Sequence, residues 1–95
     1  MIVRYSRRAL GDLEAIYDYL DDQAPATAQK IKDLIERRIR SLSDFPFMVP
    51  KTDLPSVREL SLARYPYKIY YEVEDEEVWI LHIRDARRQP WDGRN

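Results

Sequence analysis

The sequence contains no cysteine, one histidine and only two glycines among its 95 residues. Without cysteine, the chain has no disulfides, no thiolate metal ligands and no thiol nucleophile, which fits a reducing compartment. One histidine without cysteine partners cannot build a zinc site, so we expect no metal and no cofactor. With 44% hydrophobic and 35% charged residues and no low-complexity tract, the composition is that of an ordinary folded chain.

Long apolar runs and a large net charge are also missing. No apolar run is long enough to cross a bilayer, and the start reads as a short strand followed by charge rather than a signal peptide. We therefore expect a cytoplasmic protein with no membrane partner. The formal net charge of −1 makes attraction of the whole molecule to nucleic acid weak, so an anion site requires a local cluster of arginines. The length leaves room for one hydrophobic core, and we treat residues 1–95 as one domain.

The first half of the chain predicts a short strand and two helices. Residues 2–5 are extended in pattern, and Ser6 is suited to cap the helix that follows. Pro25 suits the first turn of a second helix, which ends at Phe45 and Pro46. Two or three residues between the helices predict an antiparallel hairpin. The apolar stripes that define the helices are Leu13, Ile16, Tyr17 and Leu20, and then Ala28, Ile31, Ile35, Ile39 and Leu42.

The second half predicts an ordered loop and three strands. Residues 45–56 contain three prolines, which argue for a loop. Alternating patterns follow at residues 57–62, 66–74 and 77–84, with Asp75 and Glu76 as a hairpin turn. The order of elements predicts an α+β fold, a two-layer β-αα-βββ sandwich with the helical hairpin packed on a mostly antiparallel sheet.

The last strand is mostly apolar on both alternate sets of positions. Trp79, Leu81 and Ile83 form one set, and Val78, Ile80 and His82 form the other. Such a strand is covered on both faces, whereas a paired helical hairpin can cover only one. The other face is therefore lined by its own aromatic residues or buried by another chain.

Arginines cluster after this strand. Arg84, Arg87 and Arg88, with Arg94 nearby, are suited to bind phosphate or acidic side chains, or else to pair with Asp85 and Asp92 at an exposed strand end. The sequence supports both interpretations. Arg58 is a further candidate for binding, with an ion pair to Glu59 at the sheet edge as the alternative.

Two other side-chain types invite a functional interpretation and receive a structural one. Histidine is the usual proton shuttle of enzymes, but His82 lies among apolar strand residues, which favours a hydrogen-bonded sheet residue. The tyrosines at 65, 67, 70 and 71 suggest base stacking, but alternate strand residues point to opposite faces, which favours core packing.

Four segments together resemble a known family. They are the pattern Arg8, Ala9, Asp12, Leu13, Ile16; the RxL at residues 58–60; PYKIYYEVE at 66–74; and VWILHIRDARR at 78–88. The whole chain resembles the ParE/RelE superfamily of toxins from bacterial type II toxin-antitoxin modules, and the ParE (plasmid stabilisation) branch most. The resemblance implies the fold described above. It also implies a ParD-like antitoxin whose C-terminal segment lies along helices and sheet, while its other end binds operator DNA.

The same resemblance implies that the chain alone does not bind operator DNA, and it leaves open a toxin dimer or a larger toxin-antitoxin assembly. The superfamily divides by target, since ParE-like members are described as inhibitors of DNA gyrase and RelE-like members as ribosome-dependent mRNA endonucleases. A third possibility is a non-toxic member that still binds an antitoxin.

RelE-like nucleases carry one arginine on a strand and another after the last strand. By resemblance, these positions correspond here to Lys68 and to Arg88 or Arg87. The tail lacks the downstream tyrosine of those nucleases and carries Trp91, whose indole cannot exchange a proton at neutral pH. The loop upstream offers only Lys51 as a cation. We therefore predict a gyrase-inhibiting binder rather than a metal-independent endoribonuclease. We place its antitoxin or target contacts on six residues: Arg58, Lys68, Arg84, Arg87, Arg88 and Trp91.

Overall fold

The computed structural model describes residues 1–87, 91 and 93. The elements are β1 (Ile2–Tyr5), α1 (Arg7–Gln23), α2 (Ala28–Asp44), β2 (Arg58–Ser61), β3 (Tyr67–Glu74) and β4 (Glu77–Asp85). The strands form one sheet in the order β1-β4-β3-β2, in which only the β1–β4 pair is parallel. This confirms the predicted β-αα-βββ fold with a mostly antiparallel sheet. No helix in the described part of the chain is long and apolar enough to span a membrane.

The start of α1 is fixed to the sheet by Ser6. Its hydroxyl accepts a hydrogen bond from the backbone N–H of Ala9 at 3.0 Å, which caps the helix as predicted. The same hydroxyl donates to the carbonyl of Leu81 at 2.9 Å, and the Ser6 backbone N–H donates to the carbonyl of Ile80 at 2.9 Å. The helix therefore begins directly against β4.

The two helices run antiparallel. The Tyr17 hydroxyl donates to Glu36 at 3.1 Å, and Lys32 lies 2.7 Å from Asp21, so positions later in α1 meet positions earlier in α2. The predicted hairpin is confirmed.

The start of the second helix was placed too early in the sequence prediction. Pro25 lies in the turn, and four residues, 24–27, separate the end of α1 from the start of α2 at Ala28. The reason is a closed turn, in which the Thr27 N–H donates to the Ala24 carbonyl at 3.0 Å before the helix begins. Proline needs no amide partner and fits this turn as well as it fits a helix start.

The hydrophobic core lies between the helices and one face of the sheet. Its fully buried side chains come from both layers: Ile35, Ile39 and Leu42 from α2, Leu60 from β2, Ile69 and Tyr71 from β3, and Val78, Ile80 and Ile83 from β4. Each contributes about 1.5–3 kcal/mol through burial of apolar surface. The Tyr71 hydroxyl donates to the carbonyl of Pro46 at 2.8 Å, so its phenol leaves no unsatisfied polar group in the core.

A β-bulge changes the faces of β4. In the register with β3, Tyr70 pairs with His82 but Tyr71 pairs with Ile80, so Leu81 is an extra residue. Val78, Ile80 and Ile83 all join the helix-facing core as a result. The predicted split of these residues by strict alternation is therefore wrong beyond Ile80, because alternation holds only where the pairing is regular.

The β3–β4 hairpin turn carries backbone strain. Asp75 and Glu76 have φ angles of 50° and 61°, the left-handed conformation that a two-residue type I′ turn requires. Glycine adopts this conformation more readily than glutamate does, because it has no Cβ to crowd the following carbonyl oxygen, and asparagine does so because its short side chain can form a local hydrogen bond.

We expect Glu76→Gly to raise the free energy of unfolding by about 0.5 kcal/mol. Relief of left-handed strain, about 1 kcal/mol, is partly offset by the greater freedom of glycine in the unfolded chain. Urea denaturation measures the difference. Glu76→Gln is the control, because it removes the same charge and keeps the strain. A glycine variant no more stable than the glutamine variant would contradict this account.

Candidate partner-binding face and its basic end

We call the sheet face turned away from the helices the open face. By register it carries Glu59, Lys68, Tyr70, Glu72 and Trp79. Near the β3–β4 turn it is acidic, and there Trp79 and Leu81 stay half-buried beside a shallow depression of about 300 Å³. Toward the other end it is basic. Partly exposed apolar side chains between two charged ends are typical of a surface that another chain covers.

At the basic end the polar groups bind one another. Lys68 lies 3.3 Å from the Glu59 carboxylate, and Arg84 donates from Nε to the Tyr70 hydroxyl at 2.9 Å. Burial raises the pKa of the Tyr70 phenol, and Glu59 adds to this rise although the hydrogen bond from Arg84 opposes it. The phenol therefore stays protonated at neutral pH.

The chain covers part of the open face itself. Trp91 lies against Tyr70 and His82, with ring centroids 4.9 Å and 5.1 Å away, and the Tyr70 and His82 rings stack at 5.9 Å. We predicted that this face is covered either by the chain's own aromatic residues or by another chain. At the basic end, the chain's own aromatic residues cover it. Trp79 and Leu81, half-buried nearer the turn, remain available to a partner.

His82 is held by Asp12 of α1. Asp12 Oδ2 lies 2.6 Å from His82 Nδ1 and accepts a hydrogen bond from the Ile83 backbone N–H at 3.0 Å. Burial raises the pKa of the Asp12 carboxyl, but the bonds from His82 and Ile83, with the charge of Arg8, outweigh burial and hold it below its ordinary value. The predicted structural role of His82 agrees with this contact. Within the described residues, no three acidic or histidine side chains converge as metal ligands.

Sequence reasoning missed Asp12 as the partner of His82. The two residues are 70 positions apart, and nothing local marks their contact. The available signal was its place in the quoted Arg8-to-Ile16 pattern, where it is a carboxylate beside the apolar stripe of α1.

Arg87, the one arginine after β4 within the described residues, is paired with Asp85. Arg87 donates to the Asp85 carboxylate from its backbone N–H at 2.9 Å and from Nη2 at 2.6 Å, and this pairing raises the pKa of Arg87 further above its ordinary value. The pairing that we considered for this strand end is therefore present for Arg87. Arg88, Asp92 and Arg94 lie outside the described residues.

Arg58 lies on the other side of the sheet. It pairs in register with Tyr71, and its guanidinium donates to the carbonyl of Val49 and lies 5.0 Å from the Phe47 ring centroid. The alternative of an ion pair between Arg58 and Glu59 is wrong, because adjacent strand residues point to opposite faces and Glu59 pairs with Lys68. Arg58 fastens the loop after α2 to the sheet.

A family model described as the ParE toxin of the type II toxin-antitoxin system parDE matches residues 3–90. The chain belongs to this ParE toxin family. The curated Toxin RelE2 of Caulobacter vibrioides is 36% identical over 86 residues, which cover 90% of this chain and 96% of that relative. The chain is thus a type II toxin-antitoxin toxin of the ParE/RelE superfamily, as its sequence resemblance implied.

Solved structures agree with this assignment. A chain from the chromosomal ParDE system of P. aeruginosa superposes with a TM-score of 0.79 and 29% identity, over 90% of this chain and 96% of that one. A chain of the intact E. coli RelBE toxin-antitoxin complex gives a TM-score of 0.64 at 15% identity, over 92% and 98% of the two chains. The second likeness shows the shared fold.

We expect Asp12→Asn to lower the free energy of unfolding by about 1–3 kcal/mol at pH 7, because a partly buried acceptor for two donors is weakened. The lowered pKa of Asp12 also sets a pH dependence. Its stabilising contribution is complete above the carboxyl's unfolded pKa, near 4, and is lost as pH falls through the lower folded value.

Urea denaturation from pH 7 to pH 3 tests this prediction. The difference in the free energy of unfolding between the original chain and Asp12→Asn should become smaller as the pH approaches 3. Asp18→Asn is the control, since Asp18 lies exposed on the same helix. A difference in the free energy of unfolding that stays constant down to pH 3 would show that the charge of Asp12 does not contribute to stability.

Proposed function

We propose that the chain is a ParE-like toxin that inhibits DNA gyrase by binding it, and that a ParD-like antitoxin neutralises it. The observation that carries the proposal is the basic end of the open face, where the candidate Lys68 and the neighbouring Tyr70 are each already bonded to another side chain. Lys68 is paired with Glu59, and Tyr70 is bonded to Arg84. A site of this kind presents a fixed, folded surface rather than free acids and bases.

The chemistry of RNA cleavage supports the same choice. Attack by a 2′ hydroxyl needs a base for its proton and an acid for the leaving oxygen. The Tyr70 phenol is a poor acid here, because burial raises its pKa, and His82 Nδ1 is already bonded to Asp12. Trp91 in the tail cannot transfer a proton.

An antitoxin segment with acidic and apolar residues fits the open face. Trp79 and Leu81 offer half-buried apolar surface, and Lys68, Arg84 and Arg87 supply positive charge at the far end. The P. aeruginosa neighbour is part of a ParDE system, and the E. coli neighbour comes from a toxin-antitoxin complex. We keep Lys68, Arg84, Arg87, Arg88 and Trp91 as proposed contacts and assign Arg58 to the loop that it fastens.

A RelE-like endoribonuclease is the second candidate. It is favoured by the register of Lys68 directly opposite Arg84, which places two cations together on one face. Two neighbouring cations can stabilise the crowded phosphate of a cleavage transition state. The curated relative from Caulobacter also carries a RelE name.

Expression of the chain alone in bacteria separates these functions. We expect filamentation and DNA-damage signalling, because the proposed target is DNA gyrase. We also expect inhibition of purified gyrase. Rapid mRNA cleavage with translation arrest would instead support the nuclease, and normal growth would indicate a non-toxic antitoxin-binding member.

A matched pair of variants sharpens this test. Lys68→Ala removes a cation of the proposed nuclease face, whereas Lys51→Ala removes an exposed cation in the preceding loop. If the chain is a nuclease, only Lys68→Ala should abolish mRNA cleavage, by a factor of about 100 or more.

Charge reversal tests the antitoxin contact. We expect Arg87→Glu to weaken the antitoxin complex by about five- to tenfold at low salt, and less at high salt, because the contact is exposed and screened. Isothermal calorimetry with the cognate antitoxin measures the affinity. Lys51→Glu is the control for the same change in net charge. Equal affinities for both variants at low salt would remove Arg87 from the interface.

A further inference from the structure

The face of α1 turned away from the sheet carries exposed residues at three- and four-residue spacing, which places them in one line along the helix. We call this line the outer stripe, and it consists of Arg7, Gly11, Glu14, Ala15, Asp18 and Asp22. Leu10 and Tyr19 border the stripe, one on each side, and are 54% and 47% exposed. Two large apolar side chains therefore face solvent beside a row of charges.

The charges at the two ends of α1 are placed against the helix dipole. Arg7 and Arg8 lie in the first turn, and Asp21 and Asp22 lie in the last. Each such charge is a small local cost to the helix. Arg8 and Asp21 have ion-pair partners in this chain, whereas Arg7 and Asp22 form no ion pair within its described residues. Within one chain, no ion pair therefore offsets the cost of Arg7 and Asp22.

Gly11 is a further residue that the packing of one chain does not explain. Glycine in the middle of a helix is less favourable than alanine, because glycine loses more conformational freedom on folding. A Cβ atom added at Gly11 would point into open space, so no neighbour in this chain requires glycine there. With Ala15 one turn later, Gly11 keeps the middle of the outer stripe low, which allows a second helix to pack closely.

The outer stripe is complementary to itself when a second copy lies against it in the opposite direction. If the twofold axis passes between residues 14 and 15, Arg7 lies opposite Asp22 of the second copy, and Gly11 lies opposite its Asp18. Arg7 and Asp22 are about 22 Å apart along one helix, so they cannot pair within a chain. A second copy supplies the required order of charges by symmetry.

We propose that two copies of this chain associate through α1, packed antiparallel about a twofold axis, with Arg7 of each copy paired to Asp22 of the other. Leu10 and Tyr19 then lie at the rim of the contact. The outer stripe and the open face lie on opposite sides of the molecule, so the dimer leaves both open faces accessible. One helix from each copy makes a small interface, so association should be weak and depend on concentration. The inference does not depend on inhibition of gyrase.

Charge reversal tests the pairing with variants that should keep the fold. Arg7→Glu and Asp22→Arg each remove a charge that opposes the helix dipole, so the isolated chain should stay as stable or become slightly more stable, which urea denaturation measures. Each variant should weaken self-association about fivefold or more at low salt, because two symmetric contacts become repulsive. Sedimentation velocity over micromolar to millimolar concentrations measures the association.

A mixture of the two variants separates direct pairing from a general effect of charge. In a heterodimer of the Arg7→Glu chain with the Asp22→Arg chain, opposite charges face each other at both ends of the contact. We expect the mixture to associate about as tightly as the original chain, although each variant alone stays mostly monomeric. The chain that carries both substitutions should also associate with itself.

Lys51→Glu and Asp53→Arg are the controls, because both residues are exposed in the loop before β2 and the net charge changes by the same amounts. They should leave self-association unchanged. The inference is wrong if the original chain stays monomeric at millimolar concentration, if the controls weaken association as much as the α1 variants do, or if the mixture does not associate.

The same variants show whether another partner occupies the outer stripe. Loss of antitoxin or gyrase binding in Arg7→Glu, with self-association unchanged, would assign the stripe to that partner and overturn the inference. The sedimentation measurements use the purified chain alone. A failure to inhibit gyrase would therefore count against the proposed function and leave the evidence for the dimer unaffected.

Discussion

The rest of the structure depends on how the backbone hydrogen-bonding groups of β4 are satisfied beyond the end of β1. β1 pairs with only the first four residues of β4, Glu77 to Ile80, although β4 continues to Asp85. Backbone groups left bare along a partly buried edge would each cost about 1–3 kcal/mol. Two side chains at the start of α1 satisfy them instead, Ser6 at the Leu81 carbonyl and Asp12 at the Ile83 N–H.

This solution also positions the candidate sites. Asp12 reaches the edge at the bulge, so the carboxylate that satisfies Ile83 also holds His82. His82 then lies between two surfaces, stacked on Tyr70 at the open face and lining a depression of about 500 Å³ between α1 and the end of β4. The same few contacts therefore fix both the start of α1 and the imidazole of His82.

Much of the fold could be predicted from local pattern. The three- and four-residue spacing of apolar residues located both helices, and Ser6 marked the start of α1, because these signals depend on neighbours in the sequence. Alternation along residues 66–74 puts Tyr67, Ile69 and Tyr71 on one face for the same reason, and all three lie in the core. The bulge at Leu81 could not be predicted, since it depends on how β4 registers against β3.

The site was harder to predict than the fold. Its main contact joins Asp12 to His82 across most of the chain, and only the paired strands bring the two together. Arg58 illustrates the opposite case, because strand alternation already separates it from Glu59, and the ion pair considered for them conflicts with that rule. For Trp91, the sequence indicated only that its indole cannot transfer a proton. Its packing on Tyr70 joins residues 21 positions apart and could not be predicted from local pattern.

The pairing of β1 with β4 has a consequence for biosynthesis. It places Ile2 opposite Glu77, so β1 can pair with another strand only after β4 has been synthesised. Until β4 leaves the ribosome, α1 has no anchor and the nascent helical hairpin exposes its apolar stripe, as expected for a topology with distant contacts. The open face therefore cannot form in a nascent chain that still lacks β4.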